Sequence, residues 1–237
     1  WASRNGYLRI VKFLVSKGAN INFKGKYNEI AVVNAAWKGN YEIIEYLVSK
    51  GAKNLGRALS ATIRSHKKNR NKIIKFLLTK NFDANYIDVH RNSILEYVSE
   101  YWLVKELLKR GAMIKEKTLF NISYGHNLKI LKLLVKYGAD VNTRDYKGDT
   151  LLIKFGGNLE IAKYLVSKGA DINAFNNIGE TVLMKAAWFG TFKAVKFLVE
   201  NGAKINTIRF IGRSVYKESP GGTTALNYAI NGLNRKS

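Results

Sequence analysis

The sequence predicts an all-α fold assembled from repeats, and three observations carry the prediction. First, nearly the same twelve residues are written twice: "VKFLVSKGANIN" from Val11 and "AKYLVSKGADIN" from Ala162. A fixed phrase that recurs at long range is the mark of a repeat architecture. Second, Gly18, Gly51, Gly111, Gly138, Gly169 and Gly202 recur with Asn81 standing in once, at intervals of 33, 30, 30, 27, 31 and 33 residues. Third, apolar residues keep a fixed place ahead of each anchor. Leu14, Leu47, Leu77, Leu107, Leu134, Leu165 and Leu198 stand four residues before it, with an aliphatic pair such as Ile10 and Val11 seven and eight before. Spacings of three and four put these residues on one face of a short helix. The glycine, or Asn81, then ends that helix in a left-handed cap.

A second, shorter apolar segment precedes each such helix. In "GETVLMKAAWFGTFKAVKFLVENGAKIN", from Gly179, Thr181 is placed to cap a helix, and Ala186 and Ala187 permit close helix contact. Gly190 breaks the chain before the second helix. The connecting stretches are polar and turn-rich, which suits short hairpins.

At these residues the chain resembles the ankyrin-repeat family. That family's "TPLHxA" phrase is matched by "TVLMKA" at Thr181, "TLLI" at Thr150 and "TALNYA" at Thr224, without its proline or histidine. The resemblance covers essentially the whole chain. It implies an ankyrin α-solenoid of about seven to eight divergent repeats with short β-hairpin fingers, incomplete at both ends. Residues 1–237 are expected to form a single ankyrin-repeat domain of a longer chain. The "LVSKGADIN" phrasing, the "WASRNG" opening and the Lys/Asn/Ile bias further resemble ankyrin proteins of amoeba-infecting giant viruses (mimivirus-like).

Departures from the period locate irregular repeats. Around Arg57 to Lys80 the hairpin is lost, "LGRALSATI" following Asn54 directly; near Lys115 to Leu119 it is lost again. The connection between Tyr97 and Val104 is shortened, and "TLLIKFGGNLE" trims a first helix. Residues 207–222 form an insertion that contains the sole proline, Pro220.

Composition narrows the function classes. With no cysteine there is neither a disulfide nor a thiolate metal site, and a reducing, intracellular and cytoplasmic location fits (host cytoplasm or virion for a viral protein). No apolar run approaches eighteen residues, so no membrane partner is expected. His66, His90 and His126 lie in different repeats and are not spaced as a metal pair. No nucleophile elbow occurs, and "SPGGTT" at Ser219 lacks the lysine of a phosphate-binding loop. Asn121-Ile122-Ser123 matches a glycosylation acceptor without other signs of secretion. No enzyme, cofactor or metal is expected.

Binding residues follow from what the resemblance implies. In the family, the hairpins and the end of the first helix face the concave side, where partners bind. Here those places hold Lys26 and Tyr27, Trp37 and Lys38, Tyr146 and Lys147, Asn177 and Ile178, and Trp188 and Phe189, with Glu29, Asp149 and Glu180 on the same hairpins. Trp37 and Trp188 each follow an Ala-Ala pair; the plainer reading is that they are core. The expected partner is a protein of unknown identity, because Trp and Tyr often dominate binding energy.

The rival class is a basic nucleic-acid-associated or virion packaging protein. Net charge is +23, from 40 Lys and Arg against 17 Asp and Glu. Residues 1–82 hold 17 of the former against 3 of the latter. The densest block, "RSHKKNRNK", offers Arg64, Lys67, Lys68, Arg70 and Lys72 to a polyanion from an interhelical loop, without interleaved aromatics for base stacking. Only weak, non-specific nucleic-acid or polyanion binding is expected. Lys12, Lys75, Lys105, Lys132, Lys163 and Lys196 form a ladder on the outer face, and an acid stands four residues on only at Glu200. A/T-rich coding accounts for part of this lysine, since Lys, Asn, Ile, Tyr and Phe make up 98 of 237 residues. End-to-end self-stacking through uncapped terminal repeats is a third expectation.

Overall fold

The computed structural model describes residues 1–123, 127–208 and 223–233. These divide into two compact units, Trp1–Met113 and Ile114–Ser237. The greater part of the 207–222 insertion, with Ser219 and Pro220, lies outside the described residues, as does His126.

The first unit holds α1 (Ala2–Asn5), α2 (Leu8–Ser16), α3 (Ala31–Lys38), α4 (Tyr41–Ser49), α5 (Leu55–Ile63), α6 (Arg70–Leu78), a 3-10 turn at Ile94–Tyr97 and α7 (Tyr101–Lys109). The second holds α8 (Glu116–Ser123), α9 (Leu128–Lys136), α10 (Leu151–Phe155), α11 (Leu159–Ser167), α12 (Val182–Trp188), α13 (Phe192–Glu200) and α14 (Ala225–Leu233). Within each unit the first helices of successive repeats pack on one another, as in α1, α3 and α5, or α10, α12 and α14. The second helices form another layer, as in α2, α4 and α6, or α11 and α13.

The predicted apolar positions are the core. Leu47, Leu77, Leu107, Leu134, Leu165 and Leu198 are buried, as are the aliphatic pairs ahead of most of them. Leu14 and Ile10 depart from this: Leu14 is 46% exposed, because α2 has a second-layer neighbour, α4, on one side alone. A repeat buries its face only on its neighbours.

Helix ends follow local chemistry. All six anchor glycines have φ between 78° and 92°, the left-handed region that an L side chain enters at a cost. Asn81 does not share it; α6 ends without a left-handed residue there. Left-handed asparagine appears instead at Asn54, φ 62°, where the chain turns straight into α5 after its hairpin is lost. Thr150 and Thr181 accept the N–H of Ile153 and Met184, capping α10 and α12 as their phrase predicts.

The expected β-hairpin fingers are reduced. Among the described residues no strand forms, only single antiparallel bridges between Ile87 and Ser93, Arg144 and Thr150, and Phe175 and Thr181. The fingers are tight turns in which one residue's N–H donates to the carbonyl four residues on: Gly25 to Glu29, Asp88 to Asn92, Asp145 to Asp149 and Asn176 to Glu180. The side-chain oxygen of Asp88, Asp145 or Asn176 also accepts two backbone N–H groups of its own turn. Such local bonds hold a turn without a sheet.

Asparagines four residues after an anchor join neighbouring repeats. The amides of Asn22, Asn85, Asn142 and Asn173 donate to the carbonyls of Gly51, Gly111, Gly169 and Gly202 at 3.0–3.2 Å. Their side-chain oxygens accept from the N–H of Lys53, Met113, Asp171 and Lys204. Where this place holds Leu55 or Lys115 no such bond exists, and the following helix begins at once. This is what the "IN" of the repeated phrase does.

Candidate functional site

In the first unit, Trp37 lies in the last turn of α3 and Arg64 follows the last residue of α5. The Arg64 guanidinium sits 5.9 Å from the Trp37 ring and 4.9 Å from that of Tyr97. It also pairs with Asp88 at 3.1 Å. Asp88 in turn accepts the Tyr97 hydroxyl at 2.5 Å and the N–H groups of His90 and Asn92. Burial would push the Asp88 carboxyl up, but these donors and the Arg64 charge outweigh it and hold the group below the ordinary carboxylate value. Burial, with the bond to Asp88, pushes the Tyr97 hydroxyl up.

Around this cluster lies a groove of about 200 Å³ lined by Val33, Trp37, Arg57, Arg64, Tyr86 and Val89 among others. Trp37 is 43% exposed at its edge. Two residues that the sequence assigned to separate surfaces, Trp37 and Arg64, therefore meet in one place. On a neighbouring turn Tyr27 is exposed, with the Lys26 ammonium 5.7 Å from its ring. Lys38 is half-buried beside Trp37.

The second unit arranges the corresponding residues differently. Trp188 is half-buried, edge-on to Tyr228 of α14 with ring centres 5.9 Å apart. Phe189, the next residue, is exposed. Tyr146 is 83% exposed, with Lys147 5.6 Å from its ring, and Asn177 and Ile178 are exposed on the following turn. Asn177 binds the preceding turn through its N–H to the Lys147 carbonyl and its amide to the Tyr146 carbonyl.

Beneath these tips the polar groups are buried and paired. Lys154 meets Asp145 at 2.7 Å and Lys185 meets Glu180 at 2.7 Å. Asn176 donates to Asp149 at 2.6 Å and to Glu180 at 3.1 Å, and the Tyr228 hydroxyl donates to Glu180 at 2.6 Å. Asp149 and Glu180 are thus turn-holding residues with almost no exposure, which corrects their placement on the partner-facing tips; Glu29 is exposed as expected. Burial opposes ionisation of Asp145 and Glu180, yet the lysine and the neutral donors around each hold both carboxyls below their ordinary values.

The basic block is divided by the fold. Its interhelical loop is short, because α6 already begins at Arg70. Arg70 pairs with Glu100 at 2.8 Å and donates to the Ile63 carbonyl at 3.1 Å. Arg64 is committed to Asp88, and Lys72 stands 3.7 Å from the Tyr41 ring. Lys67 and Lys68 are exposed. The outer ladder is exposed too, but not wholly without counter-charges: Lys196 meets Glu200 at 3.8 Å, and Lys163 meets Glu160, three residues back, at 3.6 Å. Lys12 and Lys132 instead lie 5.7 and 5.5 Å from Tyr46 and Tyr164 of the next helix in their layer. Exposed pairs of this kind stabilise a fold little.

Among the described residues no group of three or more His, Asp or Glu could hold a metal ion, and no helix is long and apolar enough to cross a membrane. Paired helices with hydrogen-bonded turns, joined by repeating asparagines, define a helical-repeat protein. The family model "Ankyrin repeats (3 copies)" matches residues 1–58 and 119–209, more than half of the chain. The chain belongs to the ankyrin-repeat family. The unmatched stretch between these segments contains α6, a first-layer element reduced to the 3-10 turn at Ile94–Tyr97, and α7, the region where the repeat is most altered. No curated protein matches the chain. Ankyrin repeats are typically protein–protein interaction scaffolds and usually non-enzymatic.

Proposed function

We propose that this chain is a non-enzymatic scaffold that binds a protein partner through the turns and first-helix ends of its repeats. The binding residues of this reading are Trp37, Lys38, Lys26, Tyr27, Tyr146, Lys147, Asn177, Ile178, Trp188 and Phe189. One observation carries it: Tyr146 and Ile178 stand exposed on turns that buried polar bonds hold fixed, and Tyr27 and Trp37 stand exposed at the matching places of the first unit. An exposed aromatic on a rigid support gives contact area at small entropic cost on binding.

The packaging alternative rests on the net charge and on Lys67, Lys68 and Lys72. It is weakened because Arg64 and Arg70, two of its five patch members, already have carboxylate partners. A single ankyrin domain over 1–237, a location inside a cell and a giant-virus source are parts of the proposal that rest on the sequence readings above.

Affinity capture from the native source, with nuclease treatment and mass spectrometry, tests the reading. Replacing Tyr27, Trp37 and Tyr146 by alanine is expected to leave the helical spectrum and melting nearly unchanged and to abolish capture of the main protein. Undiminished capture by that variant would refute it, and capture erased by nuclease would favour packaging.

A further inference from the structure

The groove of the first unit has chemistry of its own, beyond a general protein-binding face. Four of its walls are Trp37, Tyr86, Val33 and Val89, and Val89 is 79% exposed at the rim. Its polar side chains include Arg57, Asn34, Ser60, Arg64 and Asp88. Arg64 and Asp88 satisfy each other. The Arg57 guanidinium and the Asn34 side-chain amide, both half-buried, make no hydrogen bond or ion pair among the described residues. A half-buried guanidinium without a carboxylate, next to an unused amide and an indole edge, is an incomplete constellation.

We propose that this groove binds an acidic segment of a protein partner in extended form. A Glu or Asp carboxylate takes Arg57, the Asn34 amide takes a main-chain group, and an adjacent apolar side chain lies against Trp37 and Val89. Charge complementarity supports the occupant: residues 1–82 carry 17 Lys and Arg against 3 Asp and Glu, which draws an acidic chain toward this region. The volume, about 200 Å³, suits one or two side chains. A nucleobase suits it less well, because the Arg64 guanidinium already lies over the Trp37 ring on which a base would stack. The proposal rests on the protein-binding reading and names the chemistry of the partner.

The test uses fluorescence anisotropy at physiological salt, where diffuse attraction is screened. The probe is a short labelled peptide of alternating Glu and Leu, compared with its Gln-for-Glu twin. The Glu peptide is expected to bind and the twin to bind far more weakly. Arg57→Gln is expected to weaken the Glu peptide about tenfold, since a charge-assisted hydrogen bond is lost. Arg57→Lys should recover part of that loss. Lys75→Gln, which removes the same charge from the exposed outer face, should change binding less than about twofold. Circular dichroism checks that each variant is folded. Equal weakening by Arg57→Gln and Lys75→Gln would overturn the proposal, as would an Arg57-dependent single-stranded oligonucleotide that displaces the peptide. If the three aromatic replacements spare partner capture while Arg57→Gln still weakens the peptide, the general reading fails and the groove stands. If capture needs the aromatics and Arg57→Gln is silent, the groove fails alone.

Discussion

Trp37 and Trp188 occupy the same place, the residue after an Ala-Ala pair at the end of a first helix, yet they meet different surroundings. At Trp188 the next first helix, α14, sets Tyr228 edge-on against the indole and anchors that tyrosine through Glu180. At Trp37 the next first helix, α5, contributes Arg64 from its end, and the indole edge stays open to a groove. Register decides the direction in which the side chain leaves its helix. The residue that the following repeat lays opposite decides whether it becomes core or surface.

The largest expected effect breaks this comparison directly. Trp188→Ala should cost about 2–4 kcal/mol, because it opens a cavity against Tyr228 of α14, whereas Trp37→Ala should cost less than about 1 kcal/mol. Urea melts followed by circular dichroism measure both. Equal losses would mean that the two indoles do the same job.

A smaller effect concerns the asparagines that join repeats in both units. Asn22→Ala and Asn173→Ala should each cost about 1–2 kcal/mol, since each leaves one carbonyl and one N–H of the neighbouring repeat to water. Similar losses in the two units would show that the joint is shared while the tryptophan environment is not. A loss confined to one unit would break that parallel.

The smallest effect is acid sensitivity. Asp88 in the first unit, and Asp145 and Glu180 in the second, ionise more readily in the native state than ordinary carboxyls. A carboxyl whose folded pKa is lowered gives stability that is fully present above its unfolded pKa and is lost as pH falls through the folded value. The urea midpoint should therefore be flat above about pH 5 and decline below about pH 4. Asp88→Asn should flatten the decline of the first unit and Glu180→Gln that of the second. A midpoint unchanged down to about pH 3 would remove these carboxylates from the stability account.

Much of the fold was legible because its determinants are local and periodic. A leucine four residues before a glycine, an aliphatic pair before that, and a threonine at a helix start each act within one or two turns, so Leu165, Gly169 and Thr181 could be read directly. The exposed tips, Tyr27, Tyr146 and Ile178, were legible for the same reason. Local pattern misled at Asn81, where a residue able to adopt the left-handed cap does not, and at Asp149 and Glu180, whose charge pointed outward in the sequence.

The sequence by itself determined the repeats, their helices, the apolar positions between layers and the excess of positive charge. Short-range periodicity carries each of these, and backbone sterics and burial of apolar area enforce them within a repeat. Only the tertiary structure decided which charges are spent and which are free. Arg64 finds Asp88 across 24 residues, Arg70 finds Glu100 across 30, and Arg57 is left over beside Trp37. Those pairings depend on what one repeat's turn places over its neighbour's helix end, and desolvation acts on that distance in space rather than on distance along the chain.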